Sequence, residues 1–228
     1  MSSEPVEPSE PFEPFEPFEK DLRLALGSAA PSDLAPEIYT RLGTLDRLLL
    51  HWSARLDLIG FKTQGERVRR YFAEPLAASR WLPRGGRALD IGSGGGSPGL
   101  PFALARPELS WTFLEPRLRR RLFLEEAVRE LGLENVLVSE ERFSSSLRLG
   151  SGGDLAAISS RGVRLTRRDL DAVGKSLSVG GRFLWLSGEE RLREAEEWLS
   201  ARPEFSVDGP MRLLPDSDAR LLVVARDG

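Results

Sequence analysis

The chain has 228 residues, 40% of them hydrophobic, with 32 basic and 35 acidic residues, a net charge of −3, one His and no Cys. That length holds one large domain or a domain with an appendage, and the apolar content supports a real core. The lack of Cys excludes disulfides, thiolate zinc sites and a Cys nucleophile, and the lone His51 argues against a multi-His metal site or a Ser–His–Asp triad.

The chain opens on MSSEPVEPSEP, without the basic-then-apolar pattern of a secretory leader. No apolar run reaches the roughly 18–20 residues of a membrane span. A cytoplasmic protein without membrane association is expected, and no metal site. An all-carboxylate site stays open on inventory alone. Residues 1–19 carry six Glu and no Lys or Arg, so the remaining 29 acids face 32 bases, a balance of +3. A mildly basic body can meet a polyanion. Three consecutive Pro-Phe-Glu units precede Lys20. Repeated Pro blocks helix and sheet, and like charges push a segment open. Residues 1–18 therefore read as a disordered, extended acidic tail. It is either a solvated leader or a docking and self-masking strip presenting Phe12, Phe15 and Phe18.

Ile38, Leu42, Leu45, Leu49, Trp52 and Leu56 step by four and three, one face of a helix, with Pro36 suited to its first turn. A second helix is expected over Glu66 to Trp81, with Val68, Phe72 and Leu76 on one side. Residues 19–83 thus form a helical extension, joined through LPRGG to a larger domain over residues 84–228.

From Arg87 strands and helices alternate. Strands are expected at Arg87–Ile91, Trp111–Pro116, NVLVS, Leu155–Ser160, RFLWLS and Arg220–Arg226, with Trp111 and Trp185 as core strand residues. Helices fall on GLPFALARP, RLRRRLFLEEAVRELGL, RRDLDAVGKSL and EERLREAEEWLS. In the second of these Leu118, Leu122, Ala127 or Val128, and Leu131 face inward and Gly132 closes it. In the third Gly180 and Gly181 supply the stop. Such alternation calls for a mostly parallel α/β sheet covered on both faces.

The first strand runs into RALDIGSGGGSPGLP, with Gly at 92, 94 and 96. Glycine admits positive φ and lets main chain approach a ligand with no Cβ between them. In open α/β sheets ligands sit beyond the carboxyl ends of the strands. Asp90 at the strand end can orient the loop or reach ligand polar groups. Glu115 ends the next strand, about 20 residues after the turn, where an acid commonly accepts hydrogen bonds from ribose hydroxyls. Two ligand classes compete, beside a tight turn with no ligand at all. A dinucleotide site wants G-x-G-x-x-G, and here the third glycine is replaced by Ser97. The spacing D-x-G-x-G-x-G resembles instead the first motif of class I S-adenosyl-L-methionine (AdoMet) methyltransferases.

The stretch LDIGSGGGSPGLPFALARPE is similar to the glycine loop of the ribosomal RNA small subunit methyltransferase G family, the trailing PGLP and ARP more tellingly than the glycines. The likeness runs on through FLEPRLRRRLFLEEAVRELGLENV, ISSRGV and GGRFLWLSG, and upstream through a W…L helix with RRYFAEPL, covering most of residues 38–190. It implies a Rossmann-like class I methyltransferase fold with a mostly parallel seven-stranded sheet and an N-terminal helical extension. The implied activity is methyl transfer from AdoMet to N7 of a guanine in the 530 loop of 16S rRNA. By position, Gly92 and Ser97 line the AdoMet loop, Glu115 holds the ribose, and Phe143 and Ser144 flank the adenine. Asp90, Ser93 and Gly94 complete the expected cofactor set. Arg161, matched to the arginine of the family's Ser-Arg-Ala motif, is the expected catalytic residue and a cofactor contact. Lys62, Arg70, Arg117, Arg119 and Arg120 are expected to bind RNA, with Arg67 and Arg69 beside them and Arg164, Arg167 and Arg168 forming a further basic wall. The expected partner is 16S rRNA or the small ribosomal subunit, bound by a monomer.

The chain departs from the family pattern at Ser53, Asp57 and Ile59, at Tyr71 where the family has His, at Glu74 and Pro75, and at Ser144 and Ser187. These changes bear on RNA choice. Two other readings stay open: a paralog methylating another RNA or a small molecule, and a non-catalytic RNA- or ribosome-binding protein that keeps the fold.

Guanine N7 carries an in-plane lone pair, so no proton must leave before it attacks a sulfonium methyl. Alignment and exclusion of water suffice, and one His with no Cys meets that demand. The methylated ring gains positive charge, and a cation at about 4 Å costs about 4 kcal/mol at an effective dielectric near 20. Arg161 is therefore expected to engage an anion, a phosphate or the AdoMet carboxylate, and not the base face.

Overall fold

The computed structural model describes residues 16–56, 58–144 and 154–228, the side chain of Glu16 excepted. The tail expectation for residues 1–15, and the departure at Asp57, lie outside them.

Seven strands form one sheet: β1 Gly86–Ile91, β2 Leu109–Leu114, β3 Val136–Ser139, β4 Leu155–Arg161, β5 Leu177–Ser187, β6 Phe205–Arg212 and β7 Arg220–Arg226. Their order is β3-β2-β1-β4-β5-β7-β6. β1 to β5 pair in parallel, and β7 runs antiparallel to β5 and β6. Strand order reverses between β1 and β4, which makes their carboxyl ends the switch point where open α/β sheets bind ligands.

Helices cover both faces. On one side lie α1 Glu16–Leu26, α2 Ile38–Ser53, a continuous helical stretch over residues 64–81 called α3, α4 Gly99–Ala105 and α5 Leu118–Glu130. Their apolar faces share one core with Ala88, Trp111 and Phe113 of the sheet. On the other side α6 Arg167–Ser176 and α7 Glu189–Ser200 pack on Ile158, Phe183 and Trp185. Trp111 and Trp185 are buried strand residues. The N-terminal helices thus continue the sheet's own core. Among the described residues no helix is long and apolar enough to cross a membrane.

The structure corrects the sequence reading at four places. Residues 16–18 are helical, not extended: Pro17 sits in the first turn of α1, where a missing N–H costs nothing. Phe18, Leu22 and Leu26, spaced by four, are buried, and Phe18 packs edge-on against Phe72 at 5.0 Å. β6 carries Gly209 and Pro210 and alternates weakly, so only its pairing with β7 marks it as a strand. Leu118 and Leu122 point out, 60% and 45% exposed, and Phe123 and Leu124 are buried in their place, beside Ala127 and Leu131 as expected. Gly180 and Gly181 do not stop α6, which ends at Ser176; they bulge within β5, where pairing jumps from Leu155–Leu177 to Ala157–Arg182.

Candidate active site at the ends of β1, β2 and β4

After Ile91 the chain turns through the glycine loop into α4. Gly92 has φ +70°, and a Cβ there would meet Val163 Cγ2 at 2.6 Å, so only glycine fits. A Cβ on Gly95 would lie 2.8 Å from the Leu58 carbonyl, because the chain leaving α2 crosses directly over the loop. The Ser93 N–H donates to the Leu114 carbonyl at 3.0 Å and ties the loop to the end of β2. The Gly96 N–H donates to Ser93 O, and the Leu100 N–H to Gly96 O, both at 2.7 Å, leading into α4.

Glu115 is buried and faces this loop. Its Oε2 accepts from the Gly94 N–H and its Oε1 from the Arg117 N–H, each at 2.9 Å. Asp90 lies beneath the loop, not in it. It is fully buried, its Oδ1 accepts from Ser159 Oγ at 2.6 Å across the β1–β4 register, and its Oδ2 has no partner. A Cβ on Gly99 would come within 2.8 Å of that Oδ2, so the carboxyl points at the start of α4. Burial raises its pKa to about 6, against the lowering effect of the Ser159 and Ser93 hydrogen bonds. Of the two roles expected for Asp90, orienting the loop or reaching ligand polar groups, its burial beneath the loop favours the first.

Two cavities open on the strand ends. The first, about 400 Å³, is walled by Gly92, Glu115, Arg117, Phe143 and Arg164 among others. The second, about 200 Å³, lies under the crossing chain, between Ile59, Phe61 and Tyr71 on one side and Ser93, Gly94 and Ser97 on the other. Gly92, Arg120 and Arg161 belong to both walls. The two spaces therefore meet at the loop's first glycine, flanked by two guanidinium groups.

Arg161 ends β4. Its Nη1 donates to the Arg70 carbonyl and its Nη2 to Glu74 Oε2, and Glu74, without exposed surface, also accepts from Ser217 Oγ. Burial lowers the guanidinium's pKa, and the Glu74 charge opposes that. The anion that Arg161 meets here is an internal carboxylate of α3, where a phosphate or the AdoMet carboxylate was expected. Tyr71, also on α3, donates its buried hydroxyl to the Gly95 carbonyl at 2.5 Å, and burial pushes its pKa well above the usual phenol value. Sequence reasoning noted Tyr71 and Glu74 only as departures. Their contacts are with residues 24 and 87 positions away, which no local pattern displays.

The remaining expected site residues divide. Gly92, Ser93, Gly94, Ser97, Glu115, Phe143 and Arg161 come together around the two cavities. Ser144 is half-buried and walls neither. Arg117 and Arg120 border the first cavity, whereas Arg119 faces a separate groove beside Trp52 and Leu122. Lys62 is exposed, and Arg70 pairs with Glu66 at 2.9 Å and lies 5.1 Å from the Phe61 ring. Arg67 is no RNA wall: it is buried and held by Asp46 at 2.6 Å. Arg167 stands over the Trp198 ring at 4.7 Å. Among the described residues no group of three His, Cys, Asp or Glu is placed to hold a metal ion.

A family model described as rRNA small subunit methyltransferase G matches residues 39–209. The chain belongs to that family. As a member it is a methyltransferase, and the resemblance in the glycine loop, FLEPR and ISSRG segments reflects that kinship. A Ribosomal RNA small subunit methyltransferase G of Desulfotalea psychrophila is 37% identical over 183 residues, 78% of this chain and 84% of the relative. One of Mycolicibacterium smegmatis is 35% identical over 167 residues, 72% of this chain and 66% of the relative. Among solved structures, a SAM-dependent O-methyltransferase of Thermotoga maritima superposes with a TM-score of 0.57 at 16% identity, covering 79% of this chain and 71% of that one. A ribosomal protein L11 methylase of Lactobacillus delbrueckii subsp. bulgaricus gives 0.54 at 17% identity, covering 74% and 81%. At these identities the likeness to the family member's structural neighbours is one of fold, the Rossmann-like methyltransferase sheet.

Proposed function

We propose that this family member uses S-adenosyl-L-methionine to methylate N7 of a guanine in the 530 loop of 16S rRNA. One observation carries the reading: Glu115, at the end of β2, grips the Gly94 N–H and faces an open cavity of about 400 Å³ at the switch point. That volume suits a nucleoside-sized ligand. The lining fits the donor, since the Glu115 carboxylate, the Phe143 ring and the first glycines of the loop border the two cavities.

Bound there, the donor supplies an electrophilic methyl group on a sulfonium. Each Glu115 oxygen accepts one main-chain N–H and keeps a lone pair for a ribose hydroxyl. Phe143 offers an apolar edge of the same cavity for the adenine. Gly92, Ser93, Gly94 and Ser97 line the second cavity, while the Ser93 and Ser97 hydroxyls donate to the Asp90 and Tyr71 carbonyls and so fix the loop's shape. No general base is required for N7, and the acids nearby suit none: Glu74 is paired with Arg161, Glu115 holds the loop, and Asp90 is covered. Arg161, neutralised by Glu74, closes the wall between the cavities without placing a bare cation against a ring that becomes positive. Arg117 and Arg120 at the first cavity, Arg119 on the neighbouring groove, and Lys62 and Arg70 serve as phosphate contacts, so RNA affinity falls steeply with salt.

The test is methyl transfer from labelled AdoMet to small subunits that lack the modification, with protein-free 16S rRNA and small-molecule acceptors alongside. Label at a guanine N7 of the 530 loop is expected, mapped by reductive strand scission. Label only in a small molecule or at another nucleotide contradicts the proposed acceptor, and donor binding without transfer favours a binding protein.

A further inference from the structure

α3 is not a uniform helix. It begins as Gln64–Arg67, widens into a π-type turn over Val68–Ala73, and returns to α spacing over Glu74–Ala78. In the wide turn the Glu74 N–H donates to the Arg69 carbonyl, five residues back. Continued at that spacing, the Arg70 carbonyl would receive the N–H of residue 75. Returned to ordinary spacing, the Tyr71 carbonyl would receive it. Residue 75 is Pro75, which has no N–H, and whose ring crowds the carbonyl four residues back. The helix therefore presents two consecutive carbonyls without that donor, on the side facing the site.

Both are used by site residues from elsewhere in the chain. Arg161 donates to the Arg70 carbonyl, and Ser97 Oγ to the Tyr71 carbonyl at 3.1 Å. The Tyr71 side chain adds a third link through its hydroxyl to Gly95 O. A widened turn is a frequent device at functional sites, and the local cost of proline inside a helix is large. Here the break has a product: three fixed points on the far side of the glycine loop.

We propose that Pro75 and Tyr71 are positioning residues for the methyl-donor cradle. Pro75 acts by withholding the N–H that would compete for the two carbonyls, so that Ser97 and Arg161 bind there. Tyr71 acts by anchoring Gly95. Neither role requires contact with the donor. This rests on the donor reading above only for its consequence in affinity; the anchoring itself stands on the ligand-free geometry.

Pro75→Ala restores the missing N–H and removes a helix breaker, and Tyr71→Phe deletes only the hydroxyl. Both are compared with the unaltered full chain by amide hydrogen exchange without ligand, by thermal unfolding and by calorimetric titration with AdoMet. For Pro75→Ala a melting temperature equal to or above the parent's is expected, together with faster exchange at residues 94–97 and about tenfold weaker donor binding. Tyr71→Phe is expected to show the same loosening at residues 94–97 and a similar loss of affinity. Parental exchange at residues 94–97 in both variants would overturn the inference. So would a Pro75→Ala protein whose stability and exchange protection fall in step along all of α3, since that is the mark of a general packing role. Should the unaltered chain bind no AdoMet, the donor reading fails by itself, and the exchange data still decide the anchoring.

Discussion

The ends of β1 and β2 lie side by side, and each carries a buried acid, yet the two do different things. Glu115 at the β2 end accepts two main-chain N–H groups and faces the open cavity. Asp90 in β1 is bound on one oxygen by Ser159, has no partner on the other, and lies under α4. A carboxyl whose burial outweighs its hydrogen bonds drifts toward the neutral form, as Asp90 does. The difference teaches that position at a strand end does not assign a role. The loop between the two acids leaves the open cavity on the Glu115 side, where the proposed ligand would sit. α3 then holds the loop from behind through Tyr71, and locks Arg161 through Glu74.

The largest expected effect comes from the Arg161–Glu74 lock between β4 and α3. Arg161→Met leaves Glu74 buried with Ser217 as its remaining partner, and breaking such a pair costs about 3–5 kcal/mol. In a chain of this size that lowers the melting temperature by about 6–20 °C in a thermal scan. Adding Glu74→Leu should recover much of the stability without recovering methyl transfer, which separates the pair's packing from its place in the wall.

Next in size is the contrast between the two acids. Glu115→Gln replaces a charged acceptor of main-chain N–H and ribose hydroxyls, worth about 1.5–3 kcal/mol, so AdoMet affinity should fall about 10- to 150-fold in a titration. Asp90→Asn should leave that affinity within about threefold, because no ligand contact is lost. Equal losses in both variants would break the distinction drawn between the strand ends.

The smallest effect is in pH dependence. The Asp90 carboxyl is raised from 3.8 to about 6 in the folded chain, by burial first. The folded state thus binds its proton more tightly than the unfolded state. The stability this contributes is full below about pH 4 and is lost as pH rises through about 6. The melting temperature of the unaltered chain should fall by a few degrees across that window, and Asp90→Asn should remove that component of the slope. A slope that survives the substitution unchanged assigns it to another group.

Much of this was readable in the residues. The alternation after Arg87 and the glycine spacing marked the parallel sheet and the sharp turn after β1, because period and positive-φ turns are local properties. Glu115 was readable as the next strand's closing acid. The misses are of another kind. Phe18, Leu22 and Leu26 carry a helical spacing, but the preceding Pro-Phe-Glu units masked the start of α1. β6, FSVDGPMR, is a strand through its partner β7 and has little period of its own. Leu118 and Leu122 satisfy the helical period as well as Phe123 and Leu124 do, and only the sheet's position decides which pair is covered. Tyr71 and Glu74 looked like losses because their value lies in partners on the glycine loop and on β4, brought near by the fold.

The account's central claim is that the glycine loop and Glu115 together hold the methyl donor. Calorimetric titration of the full chain with AdoMet tests it most directly. Saturable binding of one donor per chain, weakened at least tenfold by Glu115→Gln while the variant's melting curve stays near the parent's, is the predicted result. No heat in the unaltered chain, or equal affinity in a folded Glu115→Gln protein, would contradict it.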